Sequence, residues 1–537
     1  MFMILRNKNL LYLLVVLLIA SFLRFYQLGV VPPAISWDEA AVGYNAWTIV
    51  HYGKDEWGNL FPLVFKSFED DKHPIHFYLT APFVAVFGLT DFAVRFAPAL
   101  FGVLNVLLIF LIGKDVFKDK RIGFAGALLM AISPYAIQFS RFNHEANFAL
   151  FFFMLGFWWF FKSLNGMSKY LPLATISFGI SILVYHASLV VVPPAMFLLA
   201  FIYKKEILYS QKNVIFSLAI ILTTSLLYVI QPSLLGLARM KQTSIAEDVI
   251  SNTRLFKQTN NYFLGRLEVT YDRYLAHFSP TYLFISGDRN PKFSTQKYGQ
   301  FYQIEALFLV AGFVWILKNR KREYLLLLFW ALIAPLPASL SGGTDEVPHA
   351  ARALFTMGSW HLIEAIGLVG VMGLFKNTRV KLLVAVAVTL TMAYLTTIYF
   401  KSYLTAYPKQ YGIDWQYGMK QIAEHIKDNP EYSTVFVTDA RSQPYIFLLY
   451  YLKIPLPEFL KTVEYNQTDQ RSSNLVSSFS KFNFGNWDAI ESDPQPGLLY
   501  VLTPSQYDGL RQKSLFQIKE LISYPNGTDA FYLVSLY

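Results

Sequence analysis

The sequence predicts an all-α polytopic membrane protein that ends in a small α/β domain. Only 15% of the 537 residues are charged, whereas about 25% is usual in soluble domains. Apolar runs of about 20 residues recur up to about residue 400, and a helix of this length crosses a bilayer. Polar residues and turn signals return after that point, which indicates a folded domain outside the membrane.

The apolar runs define about 11 transmembrane helices. The first run, 10–28, follows Arg6 and Lys8 and has no small-residue cleavage site after it, so we interpret it as an uncleaved span. Segment 74–88 would form a helix of only about 22 Å, short of the roughly 30 Å hydrocarbon core, and is predicted to lie in the interface. The remaining spans are predicted at 93–113, 122–140, 147–161, 171–188, 189–203, 213–230, 301–317, 323–340, 353–375 and 381–400.

The distribution of basic residues predicts the orientation. With 74–88 in the interface, the N-terminus and every second loop lie on one side of the membrane, and the positive-inside rule makes that side the cytoplasm. The basic residues of those loops are Lys114, Lys118, Lys120, Arg121, Lys162, Lys169, Lys204, Lys205, Lys212, Lys318, Arg320, Lys321, Arg322, Lys376, Arg379 and Lys381.

The opposite side carries a long first outer loop at 29–92, further outer loops at 141–146, 231–300 and 341–352, and the tail. We therefore divide the chain into a transmembrane domain, 1–400, and an extracytoplasmic α/β domain, 401–537. Within the tail the sequence predicts strands at 434–438 and 498–502, a helix at 418–428 and a hairpin turn at 525–527.

Composition excludes several functions. The net charge of +10 lies largely in the predicted cytoplasmic loops, so nucleic acid is not an expected partner. Because the chain has no cysteine, disulfides, thiolate metal sites and cysteine nucleophiles are excluded. The sequence has no P-loop, His-Glu-x-x-His, Gly-x-Ser-x-Gly or dinucleotide motif, which removes support for nucleotide-driven transport and zinc proteolysis.

Acidic residues beside the membrane are the first candidates for chemistry. Asp38 and Glu39 follow the first span closely, and Glu145 lies in the outer segment 141–147 with Arg141, His144 and Asn147. A carboxylate here can act as a general base, and Asp38 and Glu145 could converge on one site. Alternatively, Asp38-Glu39 starts a helix, since acidic residues suit a first turn, and 141–147 is a tight connection.

Basic residues on the same side form a second set of candidates. Lys72 and His73 precede Pro74, which suits the first turn of a helix, and a helix N-terminus attracts anions. His349 and Arg352 are spaced i, i+3, so both would lie on one face of a helix beginning near 348. Such cations suit a phosphate ligand. The alternatives are ordinary interfacial charge and a solvated turn.

Several segments taken in order resemble a known family. They are WDEA at 37–40, KHPIHFYLTAPFVAVFGLTDFAVRFAPALFG at 72–102, the basic turn GKDVFKDKR and SPYAIQFSRFNHEANFALFFF at 133–153. Together they resemble the C-type membrane glycosyltransferases, in particular the branch of protein O-mannosyltransferases and lipid A aminoarabinose transferases. The resemblance implies an inverting transfer of a sugar from a polyprenyl-phosphate donor to an acceptor on the outer face of the membrane.

The resemblance also implies roles for individual residues. Asp38 matches the catalytic base of the family, Glu39 is its acidic neighbour, and Glu145 falls where relatives commonly have an Asp. Lys72 and His73 match the position associated with the carrier phosphate, whereas His349 and Arg352 as phosphate ligands rest on charge. No cofactor is required by the sequence, although some relatives use a divalent metal, which Asp38 with Glu145 could hold.

Two alternatives to this function stay open. A flippase or transporter for lipid-linked sugars would need ionisable residues inside its spans, where Asn105 and His186 are the main polar candidates. A polysaccharide polymerase would use the same class of donor. In each case the partners are membrane lipids, a lipid-linked sugar and, for transfer, a protein, lipid or glycan acceptor. The expected location is the plasma membrane, with a cytoplasmic N-terminus.

Overall fold

We analysed a computed structural model of the chain. It describes residues 8–68, 70–236, 244–341, 347–467, 474–485 and 494–536. Two compact units divide these residues: unit 1 comprises 1–26, 71–76 and 98–401, and unit 2 comprises 27–70, 77–97 and 402–537. The predicted domain boundary at 400 lies beside the one at 401, whereas most of the first outer loop is grouped with the tail instead of the transmembrane domain.

Helices dominate the described residues up to Gln410. They are α1 Lys8–Phe25, α2 Trp37–Tyr52, α3 Ile75–Phe87, α4 Asp91–Asp115, α5 Lys120–Ile132, α6 Pro134–Ser140, α7 Glu145–Leu164, α8 Tyr170–Ile182, α9 Ser188–Ile202, α10 Lys204–Leu208, α11 Gln211–Ile230, α12 Glu247–Ser251, α13 Arg254–Thr259, α14 Tyr262–Ala276, α15 Glu305–Asn319, α16 Arg322–Ile333, α17 Leu336–Leu340, α18 Thr356–Leu374 and α19 Thr378–Gln410. Short strands β1 Phe65–Ser67 and β2 Asp70–Lys72 lie between α2 and α3.

Among the residues that the structure describes, seven helices or joined helices are long and apolar enough to cross a membrane: α1, α4, α7, α11, α16 with α17, α18 and α19. The pair α5 and α6, bent by 62°, makes an eighth if it is counted as one span. This makes the chain a multi-pass membrane protein. The other predicted spans, 171–188, 189–203 and 301–317, lie on α8, α9 and α15, which have 13 to 15 residues.

Small residues allow close helix packing in unit 1. A Cβ added to Gly312 of α15 would lie 2.1 Å from the carbonyl oxygen of Ile363, and one added to Gly367 of α18 would lie 2.0 Å from that of Phe308. The two backbones are therefore in direct contact. This is the packing expected where helices associate inside lipid and small residues let them approach.

Unit 2 contains a seven-stranded mixed sheet. Its strands are β3 Val435–Thr438, β4 Glu464–Tyr465, β5 Val476–Phe479, β6 Phe482–Gly485, β7 Leu499–Leu502, β8 Phe516–Ser523 and β9 Asp529–Leu536. Their order is β4-β5-β6-β3-β7-β9-β8, with β3 parallel to both of its neighbours. The helices of this part are α20 Met419–Asp428, α21 Pro444–Tyr451, α22 Leu456–Thr462 and α23 Pro504–Asp508.

The tail elements match those expected from the sequence. Strands β3 and β7 and helix α20 lie within the predicted ranges, and β8 and β9 form a hairpin around Gly527, whose positive φ of 88° suits a turn. Helix α2 of the first outer loop packs against α21. A Cβ on Gly43 would lie 2.6 Å from the Tyr450 ring, and Ala40 and Tyr44 belong to the same hydrophobic core as Phe447.

Candidate active site

Helix α2 presents the Asp38-Glu39 pair at its first turn. Ser36 caps the helix: its backbone N–H donates to a Glu39 carboxylate oxygen at 3.1 Å, and its hydroxyl accepts from the Glu39 N–H. This is a capping box, which fixes the direction of the chain entering the helix. The helix-start interpretation of these acids is therefore confirmed, and it holds together with a chemical role for Asp38.

Asp38 and Glu39 point into different surroundings. Asp38 is half-buried, and one of its carboxylate oxygens accepts a hydrogen bond from the indole N–H of Trp37 at 2.9 Å. Glu39 is fully buried and forms a two-point ion pair with Arg95, at 2.9 and 3.2 Å. Arg95 also donates to the carbonyls of Pro32 and Ala34. Glu39 is therefore committed to Arg95, whereas Asp38 is only half-buried.

His73 does not have the environment of a cationic ligand. Its Nε2 lies 2.8 Å from the carbonyl oxygen of Leu234, and its ring stacks on His186 with 4.0 Å between centroids. Burial, and secondarily the neighbouring His186, lower the pKa of His73 to about 3. His73 is therefore neutral near pH 7, which departs from the phosphate-binding role predicted for it, and its geometry is that of a residue bracing the 232–236 turn.

Glu145 begins α7 beside several basic groups of unit 1. The N-cap residue His144 accepts from the Ala146 N–H through Nδ1, which also lies 3.7 Å from a Glu145 oxygen. Lys72 and His76 are close enough to interact with Glu145 electrostatically. Unit 1 thus groups Glu145 with Lys72, as a shared outer site requires.

Two neighbours of Glu145 in the sequence have structural roles instead. Arg141 donates to the carbonyls of Leu23, Arg24 and Tyr26, so its guanidinium caps the C-terminal end of α1. Asn147 donates to the carbonyl of Pro98 and accepts from Asn105. For these two residues, the alternative that 141–147 is a tight connection between helices therefore holds.

His349 and Arg352 lie in a turn, and the helix predicted to begin near 348 is wrong in position: α18 begins at Thr356. Side chains from elsewhere in unit 1 accept the backbone N–H groups here. His277 accepts from His349 at 3.1 Å and Asp288 accepts from Ala350 at 2.5 Å. These bonds hold the turn together with a backbone bond from the Ala353 N–H to the His349 carbonyl at 3.1 Å.

A second arginine lies near Arg352. Burial, followed by the positive charge of Arg352, lowers the pKa of Arg273 on α14. The two arginines therefore place two positive charges in the same part of unit 1. Arg273 escaped the sequence analysis because its partner lies 79 positions further along the chain.

Phe293 connects the outer segments of unit 1. Its ring centroid lies 5.1 Å from that of His349 and 5.9 Å from that of His144. The loop that carries it is fixed by Gln138, whose amide donates to the carbonyl of Lys292 at 2.6 Å. The aromatic loop at 274–302, the start of α7 and the 349–352 turn are therefore neighbours. Asp38 and Glu39 belong to unit 2.

A metal ion would need several His, Asp or Glu side chains grouped around one point. Within the described ranges, no group of three or more His, Asp or Glu side chains is arranged to hold a metal ion. The two carboxylates considered for a divalent metal, Asp38 and Glu145, belong to different units.

Comparisons with known proteins give the family context. Residues 71–229 match the family model described as dolichyl-phosphate-mannose-protein mannosyltransferase. YkcB from Bacillus subtilis (strain 168), whose name refers to a mannosyltransferase, is 27% identical over 156 residues. That match covers 28% of this chain and 20% of YkcB, so it spans about a fifth of the relative's length.

Solved structures match over nearly the whole chain. ArnT from Cupriavidus metallidurans bound to undecaprenyl phosphate aligns with a TM-score of 0.54 at 15% identity, covering 98% of this chain and 97% of that one. The chain has the C-type glycosyltransferase fold. The oligosaccharyltransferase of Archaeoglobus fulgidus in complex with Zn and sulfate aligns with this fold at a TM-score of 0.52 and 16% identity, covering 97% and 72% of the two chains. The resemblance of the sequence to the C-type membrane glycosyltransferases is thus confirmed.

Proposed function

We propose that this protein is an inverting glycosyltransferase that moves a sugar from a polyprenyl-phosphate donor to an acceptor on the outer face of the membrane. The observation that carries the proposal is the difference in surroundings between the two adjacent acids at the start of α2. Arg95 binds Glu39 in a buried ion pair, while Asp38 is half-buried at the first turn. The C-type fold and the mannosyltransferase family match support the same class of reaction.

In the proposed reaction, Asp38 accepts the proton of an acceptor hydroxyl or amine. The acceptor atom attacks the anomeric carbon from the side opposite the phosphate, a new glycosidic bond forms, and the bond from the anomeric carbon to the phosphate oxygen breaks. The polyprenyl phosphate leaves as a stable anion. Cationic groups lower the barrier by stabilising the charge that develops on it.

We assign that stabilisation to Lys72 and to Arg352 with its neighbour Arg273. Lys72 binds phosphate as a point charge, and a guanidinium can bind it through two parallel hydrogen bonds. Glu145 contributes a second acid beside Lys72, and His349 positions Arg352 by accepting its backbone N–H at 3.3 Å. Glu39 acts as a positioning residue because it anchors the first turn of α2 to Arg95.

The topology that accompanies this function is the one the basic loops predict. About 11 spans would place the N-terminus in the cytoplasm and the active site and tail outside the plasma membrane. The acceptor class includes protein, lipid and glycan. The ArnT structure holds undecaprenyl phosphate, which supports a lipid-linked donor, and the archaeal oligosaccharyltransferase is tethered with an acceptor peptide, which supports a peptide among the acceptors.

The decisive test is Asp38→Asn in the purified full chain. Without the base, turnover of radiolabelled polyprenyl-phosphate sugars, including slow transfer to water, should fall by about 10²–10⁴-fold, while donor binding is retained. Asp508→Asn is a matched control, because Asp508 has a 74% exposed side chain in the tail. Equal turnover in Asp38→Asn and the wild type would remove Asp38 from the chemistry.

A flippase for the same lipid-linked sugars is the second candidate, and one observation favours it. Within α18, His361 and Glu364 are both fully buried, and Glu305 at the start of α15 is buried as well. These residues add to Asn105 and His186, the main polar candidates that the sequence predicts within spans. Transport would use such intramembrane groups. Donor binding without turnover in both the wild type and Asp38→Asn, with donor translocation that Glu364→Gln abolishes, would establish this alternative.

A further inference from the structure

In the hairpin that follows α2, acidic side chains are buried and large apolar side chains are exposed, which is the opposite of an ordinary loop in water. Residues 53–63, here called the outer-loop hairpin, bury Asp55 and Glu56 at 0% and 2% exposure. Leu60, Phe61 and Leu63 are 68%, 60% and 52% exposed. A loop in water would be expected to show the opposite pattern, so this surface has an apolar partner.

Hydrogen bonds hold the two acidic side chains in their buried positions. The Asp55 carboxylate accepts from the N–H groups of Trp57 and Asn59 and from the Asn59 amide. Glu56 accepts from the Asn45 amide at 3.2 Å, and Asn45 accepts from the Glu56 N–H at 2.8 Å. Because both acids are fixed inward, the hairpin cannot cover its leucine and phenylalanine side chains by turning over.

Neighbouring elements of unit 2 extend the apolar surface. Val50 and Tyr52 at the end of α2 are exposed, and Leu460 of α22 lies within 3.2 Å of the Cβ that Gly58 would carry. Tyr78 of α3 donates to the carbonyl of Pro62 at 2.9 Å. This bond joins the hairpin to the short apolar helix that the sequence places in the membrane interface.

The side chains that border the exposed apolar residues indicate what this surface contacts. Exposed lysines flank the hairpin at Lys54 and Lys66, and the Lys66 ammonium lies 4.6 Å from the centre of the Trp57 ring. Aliphatic tips bordered by tryptophan, tyrosine and lysine are the composition of segments that lie at the lipid headgroup level, where lysine also attracts anionic lipids. A protein partner would not require this order of side chains.

We propose that the outer-loop hairpin inserts its apolar tip, Leu60, Phe61 and Leu63, into the outer leaflet of the bilayer. Helix α2 carries Asp38 at its first turn and runs directly into the hairpin at its last. Anchoring the hairpin therefore holds α2, and with it the Asp38 carboxylate, at the headgroup level where a lipid-linked substrate presents its phosphate. This inference depends on the membrane location of the chain and stands independently of the transfer chemistry.

The absence of cysteine makes the test direct, because one introduced thiol labels one position. Leu60→Cys and Leu63→Cys would each be labelled with bimane in the full chain in lipid nanodiscs. Leu521→Cys on strand β8 is the matched control, since Leu521 is a leucine with 45% exposure in the same unit. Quenching is measured with iodide in the water and with spin-labelled lipids, and equal thermal midpoints would confirm folding.

The expected result is a ratio of lipid quenching to iodide quenching at least several-fold higher for positions 60 and 63 than for position 521. Iodide quenching at positions 60 and 63 as strong as at the control, without lipid quenching, would overturn the proposal. Shielding from both quenchers would also overturn it, because a protein partner or a second copy of the chain would then cover the surface. Donor turnover is not used in this measurement, so its outcome is separate from that of Asp38→Asn.

Discussion

At the residue scale, His73 illustrates how burial sets the charge that a side chain can carry. A histidine next to a lysine in an outer loop looks cationic in the sequence, but this ring is stacked on His186 and bonded to the Leu234 carbonyl. Protonation would place a charge in a site with little water, so the pKa falls to about 3. Among the residues that we propose for phosphate binding, Lys72 and the arginines are therefore the ones that carry the charge.

This shift predicts a pH dependence of stability. The pKa of His73 is lower in the folded than in the unfolded chain, so between about pH 6.5 and pH 3 the unfolded chain binds more protons. Stability is therefore complete above pH 6.5 and falls as the pH is lowered, by about 2 kcal/mol at pH 5 from this residue alone.

The measurement is thermal unfolding of His73→Phe in detergent between pH 5 and 8. Phenylalanine keeps a ring for stacking but cannot be protonated, so the variant should lose less stability than the wild type on going from pH 7 to pH 5. His51→Phe, at an exposed histidine, is the control and should retain the slope of the wild type. A His73→Phe slope as steep as that of the wild type would contradict the assignment.

At the element scale, the contact between α15 and α18 depends on glycine. Gly312→Ala places a methyl group 2.1 Å from the Ile363 carbonyl oxygen, which the two backbones cannot accommodate without separating. We expect a loss of about 1–3 kcal/mol in stability, the usual cost of overpacking. The loss should appear as a lower thermal midpoint in detergent.

Gly373→Ala is the matched control because it lies on α18 with no atom within 4 Å of the added Cβ. Alanine also has the higher helix propensity, so this variant should be as stable as the wild type or slightly more so. Similar losses in both variants would contradict the assignment, because Gly373 makes no such contact and helix propensity alone would favour alanine.

At the scale of the whole molecule, local patterns were predictable and long-range pairs were not. Apolar runs predicted where the helices lie, because about 20 apolar residues have few alternatives to a membrane span. Their ends were less predictable: the run 381–400 lies in a helix that continues to Gln410. The ion pair of Glu39 with Arg95 joins residues 56 positions apart, and no periodicity signals it. The helix expected near 348 begins instead at Thr356, and the contacts of the His349 and Ala350 N–H groups with His277 and Asp288 come from distant parts of the sequence.

The side of the membrane on which the tail lies depends on α15 alone. Over the described residues, the long helices together with the bent pair taken as one span give eight crossings, and α8, α9 and α15 make up the difference from the predicted 11. Helices α8 and α9 are consecutive. If both cross the membrane, the later loops lie on the same side as they would if neither crossed. Helix α15 has 15 residues, and whether it crosses decides the side of every loop after it and of the tail.

Single cysteines in the cysteine-free chain can therefore determine the topology. If α15 spans, a membrane-impermeant maleimide added to intact cells should label Asp508→Cys in the tail and leave Lys321→Cys, after α15, unlabelled until the membrane is permeabilised. Basic residues at Lys318, Arg320, Lys321 and Arg322 favour this arrangement because they would face the cytoplasm. Labelling of Lys321→Cys in intact cells would place those four charges outside and would remove the outer location proposed for the His349–Arg352 turn.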